Sequence, residues 1–436
     1  MSILSAKSSA SANGRLSSKM RTLGFAVLCA LGLFWDGIPL IWLGIPIPTS
    51  RYLVGVIVLG FFLISILYRT TQSGPWSIWE GIPLAFIGWI LFVSIISSNS
   101  FYPQPIAGWL FALYSILPLL LVFMLRTTGS TAEDIVTAIN MTSLFVCILI
   151  WISFLTSFDI LSDYQRAATT DVGLERIVVY KTQISLAAGV YFQRTVAANR
   201  IFRILSNGLI FVFLFSTLAI IVESRLTLAA VLLAIFSYVV IFVRGRRKYL
   251  LLSGGSLLSL VFFPIFLGKY VEQFLRYDNY ISDDQSIQWR LLTARYYNDI
   301  FDNTMGFGFG IMSSGEGRDN PFSFAQHRAG ELFDGYGYNL YLADTGILGA
   351  LFQFGYVGIL FVAGMSLIVS YSLISTGYGK STTEKDVAVI GLVVLFYVVS
   401  PWPTNFFSLE WSVGVGGYIW ALAAASSSAR SRRPIH

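Results

Sequence analysis

Five arginines and the only internal histidine crowd one polar stretch of an otherwise apolar chain. Residues 268–345 carry Arg290, Arg295, Arg318, Arg328, His327 and eleven acidic side chains. Everything around this stretch reads as transmembrane helix. Its chemistry therefore belongs at a membrane face, on a substrate that is part lipid and part polar. Arg295 stands four residues before Asp299 and leads to Gly306, Gly308 and Gly310 in the run MGFGFG. Alternating glycines let backbone approach a ligand closely, or simply make a flexible turn. No Lys-Ser/Thr pair comes after them, so the spacing does not make a nucleotide loop. The plain alternative for Arg295 and Asp299 is a surface ion pair worth ~0.3–0.5 kcal/mol.

Two further groups fall outside that stretch. Arg225 lies in the very short turn Glu223-Ser224-Arg225 between two apolar runs. An arginine there is partly desolvated and held on stiff elements; the bland alternative is snorkelling to the interface, common near helix ends. The loop 158–181 contributes Glu175, Arg176 and Lys181.

The elements that must position these residues are set by composition. Hydrophobic residues are 55% of the chain, charged residues 12%, and mean hydropathy is +0.70, which excludes an ordinary soluble protein of this length. Segments near the ~20 residues needed to cross a bilayer fall at about 22–44, 52–68, 82–99, 105–125, 138–157, 181–193, 204–222, 226–243, 249–267, 346–376, 387–402 and 412–428. The expected organisation is a tail 1–21, a bundle 22–267, the large loop 268–345, a second bundle 346–428 and a tail 429–436. Lys and Arg number 18 on one set of short loops and tails against 5 on the other, which predicts cytoplasmic termini and an extracytoplasmic large loop. Within that loop, residues 288–301 (QWRLLTARYYNDIF) read as an amphipathic helix, with Ile287, Leu291, Ala294 and Phe301 near helical spacing. Cys29 and Cys147 lie in apolar runs as small buried hydrophobes, not as a disulfide or metal site. No cleavable signal peptide is expected.

Three features resemble the O-antigen polymerase/ligase superfamily of bacterial envelope glycosyltransferases. Ser224-Arg225 opens an apolar run, SRLTLAAVLLAI. Arg295 precedes Gly306 at the arginine-to-glycine spacing of Wzy-type polymerases, within the large loop. Residues 344–358 (DTGILGALFQFGYVG) resemble the segment that enters the next span and ends in Gly-x-x-Gly. Ligases of the superfamily carry His-Asn where this chain has Asp344-Thr345, a departure that favours polymerisation over transfer to a lipid A core. Tyr338-Asn339 is a poorer match to that position.

The resemblance implies an all-α polytopic membrane protein, GT-C-like, with about 12 transmembrane helices and one large, partly helical periplasmic loop. It implies a polymerase joining undecaprenyl-pyrophosphate-linked oligosaccharide repeats at the periplasmic face of the bacterial inner membrane. Arg176, Arg225, Arg290 and Arg295 are then candidates to meet pyrophosphate charge through planar bidentate donors, with Arg328 beside them. Asp344, then His327, are candidates to take the acceptor hydroxyl's proton. Trp289, Tyr296, Tyr297, Tyr336, Tyr338 and Asn339 are candidate glycan contacts, and Gly306 a close-approach point; interfacial belt residues are the alternative for the aromatics. No metal and no cofactor are expected. Expected partners are the lipid-linked oligosaccharide, the bilayer, a chain-length regulator and a flippase, and no nucleic acid. The alternatives are a ligase and, in a different class, a transporter or flippase, for which Asp36 in Trp35-Asp36-Gly37 is the deep acidic residue to test.

Overall fold

The computed structural model describes residues 18–28, 56–67, 77–101, 113, 116–156, 166–169, 175–177, 181–222, 225–254, 294–295, 297–311, 347–379, 381–399 and 413–431. Their architecture is a helical bundle. In chain order it comprises α1 (Ser18–Leu28), α2 (Val56–Leu67), α3 (Ile78–Ser100), α4 (Leu121–Thr128), α5 (Ala132–Thr156), α6 (Lys181–Ala197), α7 (Ile201–Ser216), α8 (Arg225–Phe242), α9 (Ile347–Ser375), α10 (Thr382–Val398) and α11 (Val413–Ser431). Each overlaps an apolar segment expected from the sequence. Four are long and apolar enough to cross a membrane among the described residues: Ile78–Ser100, Ala132–Thr156, Ile201–Val222 and Leu348–Tyr378.

Chain chemistry explains the helix ends. Ser381 caps α10: its hydroxyl accepts from the Glu384 N–H at 3.2 Å, and its own N–H donates to the Glu384 carboxylate at 2.9 Å. Gly129, at φ 66°, closes α4 in the left-handed conformation. The outward side of α7 carries Ile201, Phe202, Leu205, Leu209 and Val212, all exposed. Such a stripe suits lipid rather than water.

The helix α6 is the opposite case. It is buried along most of its length and packs against α5, α7, α8 and α10. Its shell of neighbours explains how Thr182, Gln183, Ser185 and Gln193, all buried, are tolerated inside an apolar bundle. Among the described residues, two ion pairs tie helix ends together. Arg194 of α6 holds the buried Asp386 of α10 at 2.9 Å, and Arg21 of α1 holds the buried Asp134 of α5 at 3.1 Å.

Among the described residues, the fold departs from all-α at one place. In the loop 158–181, β1 (Arg166–Thr169) pairs antiparallel with β2 (Glu175–Ile177), with Ala167 opposite Arg176. A lone two-stranded ribbon is marginal by itself. Here β2 lies against the Thr217–Val222 turn, which extends α7 as a π-helix.

Candidate functional site

The glycine run of the large loop is built into the bundle. α9 breaks at Gly355, where φ is 70° and ψ −172°. A break inside an apolar helix frees backbone groups that lipid cannot satisfy. Around this break, backbone and side-chain groups from elsewhere supply partners. Phe309 N–H donates to the Phe352 carbonyl at 3.0 Å, and Gly310 N–H to the Gln353 carbonyl at 2.8 Å. Trp89 Nε1 of α3 donates to the Phe354 carbonyl at 2.8 Å, and Tyr356 N–H donates to the Gly306 carbonyl at 3.1 Å. Ile311 N–H donates to Ser94 Oγ at 3.0 Å, joining the same run to α3.

Glycine is required for this approach. Gly308 has φ +86°, and a Cβ there would stand 2.5 Å from the Gln353 carbonyl oxygen. The close approach that MGFGFG makes is to the backbone of a broken helix, where the sequence offered a ligand or a flexible turn. Thr304 fixes the turn before it: its Oγ1 donates to the Phe301 carbonyl at 2.7 Å and accepts from Gly308 N–H at 3.1 Å.

This docking carries the Arg295 segment. Residues 297–302 are helical, as are 294 and 295. Tyr297 and Phe301, one turn apart, are buried against Phe309, Phe352 and Tyr356, with centroids 5.5–6.3 Å apart. Arg295 and Asp299 are exposed, and among the described residues no ion pair joins them. The expected amphipathic helix is thus seen in its C-terminal half. Tyr297, expected as a glycan platform, is corrected to a packing residue: at 2% exposure its ring is occupied by Phe309 and Phe352.

Arg225 is the first residue of α8, and Arg176 lies in β2. Because β2 rests on the Thr217–Val222 turn just before Arg225, the backbones bearing these two arginines share one end of the bundle. That end can be traced by contacts. Thr376 Oγ1, past the end of α9, donates to the Glu384 carbonyl at 2.9 Å, and Asp386 is held by Arg194. These join the end of α9, the start of α10 and the end of α6. Residues 217–222, the start of α8 and the 347–356 start of α9 therefore stand at the opposite end. Asp344, His327, Arg290, Arg328, Trp289, Tyr296, Tyr336, Tyr338 and Asn339 lie outside the described residues.

Several residues of this end are not singled out by sequence reasoning. Trp89 and Ser94 sit in an apolar span and look like lipid-facing or neutral positions; only their partners reveal a role. Tyr397, Ser185, Thr182 and Thr227 form a buried hydroxyl cluster beneath the start of α8. A local signal for it exists in the polar run Thr182-Gln183-Ile184-Ser185, unusual for a span.

A chain of a solved structure, described as structural coordination of polymerization and crosslinking by a peptidoglycan synthase complex, is 16% identical with a TM-score of 0.44. The alignment covers 82% of this chain and 99% of that one. At this TM-score the likeness fixes neither fold nor substrate. No curated protein matches the chain. The model of the O-antigen ligase family matches residues 210–363, from the end of α7 through Arg225, Arg295 and the glycine run to beyond the Gly355 break. Through that segment the chain resembles the O-antigen polymerase/ligase superfamily.

Proposed function

We propose that this chain is a membrane glycosyltransferase that polymerises undecaprenyl-pyrophosphate-linked oligosaccharide repeats into a cell-surface polysaccharide. It acts at the periplasmic face of the bacterial inner membrane, with about twelve spans and cytoplasmic termini. The observation that carries the reading is the gathering at one end of the bundle of the Arg176 strand, the start of the Arg225 helix and the start of α9, onto which the Arg295 segment docks. The family match over residues 210–363 supports it.

The chemistry proposed is direct displacement. The acceptor hydroxyl attacks the anomeric carbon of the donor sugar and gives its proton to Asp344 or His327. The bond from that carbon to the pyrophosphate oxygen breaks, and the pyrophosphate-lipid leaves with the electron pair. Arg176, Arg225, Arg290 and Arg295 meet the growing negative charge in a partly dry site. Neither a metal nor a cofactor has a step in this scheme. Inversion at the anomeric carbon is the expected outcome.

A second reading, a ligase that moves finished glycan to another acceptor, is favoured by the description of the matching family. Asp344-Thr345 in place of His-Asn weighs for the polymerase. Complementation of a deletion strain with wild type and Arg295→Ala, with glycans sized and protein level checked, separates the two. Single lipid-linked repeats in the variant support the polymerase. Full-length polymer left on its lipid carrier supports the ligase. Normal polymer at normal protein level removes Arg295 from the mechanism.

A further inference from the structure

We infer that Tyr397 is a positioning residue for Arg225: its hydroxyl ties the first turn of α8 to the first turn of α6, the helix next in sequence after the Arg176 strand. The inference rests on the glycosyltransferase reading and deepens it.

Tyr397 is the penultimate residue of α10 and is 1% exposed. Its Oη lies 3.3 Å from Ser185 Oγ and is close to the side-chain hydroxyls of Thr227 and Thr182. Ser185 Oγ donates to the Thr182 carbonyl at 2.6 Å. Ser185 and Thr227 are likewise buried. Three helices that pack on one another thus meet at one phenol.

Position gives the cluster its meaning. Thr227 is two residues past Arg225, and Thr182 is the second residue of α6. The cluster therefore sits at the arginine end of the bundle, not at the end held by Arg194 and Asp386. A phenol offers one donor and accepts two bonds at most. Its partners are all satisfied only when α6 and α8 hold their stations, and in a low-dielectric interior each such bond is directional and hard to replace. The ring itself belongs to the apolar core. Phenylalanine would keep that packing and remove only the tie.

The test uses the full-length protein in nanodiscs, with inorganic pyrophosphate as the probe and calorimetry as the readout. Arg225→Ala is expected to weaken binding by about tenfold, as loss of a charge-assisted contact does. Tyr397→Phe is expected to weaken it several-fold, with Arg225 itself still present. The double variant is expected to bind no worse than Arg225→Ala, because the two act through one contact. Thr227→Val should repeat the loss and Thr227→Ser should restore wild-type binding, which a general packing defect would not do. Wild-type affinity in Tyr397→Phe, or full additivity with Arg225→Ala, overturns the inference and leaves the glycosyltransferase reading standing. No effect of Arg225→Ala, or no binding by wild type, overturns the role of Arg225 and the inference with it. If Tyr397→Phe does not fold, the Thr227→Val and Thr227→Ser pair decides by the same criterion.

Discussion

The backbone N–H of Gly310 donates to the carbonyl of Gln353 at 2.8 Å, so the large loop closes the gap where α9 breaks. The broken helix and the loop complete each other. Each supplies backbone partners that the other lacks.

Gly308→Ala is expected to abolish polymer and lower the melting temperature. The left-handed backbone at φ +86° costs an L-residue about 1–2 kcal/mol. The Cβ would also stand 2.5 Å from the Gln353 oxygen, a backbone atom that cannot swing aside. Gly88→Ala is the control, since its Cβ meets nothing within 4 Å. Thermal unfolding in detergent compares the two; equal melting temperatures would remove the lock from the account.

Trp89→Phe keeps an aromatic ring against Phe307 and removes the donor to the Phe354 carbonyl. The expected loss is about 0.5–1.5 kcal/mol, the range for one hydrogen bond. Hydrogen exchange should rise locally at residues 354–358 and not across α5. Uniform exchange across the bundle would contradict a local role.

The ion pair between Arg194 and Asp386 is predicted to be asymmetric. Asp386 is 2% exposed and Arg194 30%. Arg194→Met strands a buried carboxylate, whereas Asp386→Asn leaves an arginine with access to water. The first should approach the ~3–5 kcal/mol typical of a broken buried pair, and the second should stay below it. Denaturation of both variants reads the order; the reverse order would mean that the pair is screened as a surface contact.

Arg295→Ala should separate function from folding. The side chain is exposed, so stability should move by less than about 0.5 kcal/mol. Polymer length should nevertheless collapse to single repeats. Arg295→Lys should recover only part of it, since a lysine lacks the planar fork. Full recovery by lysine would reduce the requirement to a point charge.

The bundle helices are legible in the sequence because hydropathy is local: each of α1 to α11 overlaps an apolar run, and α8 begins at the Ser224-Arg225 step that suggests it. The glycine run is legible as a close approach or a flexible turn, the two readings its composition allows. Its partner is not. Pairing of Phe309 with Phe352 is a contact between distant residues, and nothing in either stretch names the other. The glycan expectation for Tyr297 fails for a related reason: a tyrosine in a polar loop suits a sugar or a core equally, and Phe301 one turn later decides for the core. The ribbon at Arg166 and Glu175 leaves no sequence signal because strands of four and three residues are too short to show alternation.

The π-helix at Thr217–Val222 makes chain length, rather than side-chain identity, a constraint on how the chain enters α8. A π turn accommodates one residue more than an α turn closes. Removing that residue would let the turn relax to α geometry and leave the link into α8 one residue shorter. The start of α8 would then be displaced with the sequence of that helix unchanged. Substitutions within the turn should be tolerated better than a single deletion, as in a clock whose hand is set by counting teeth.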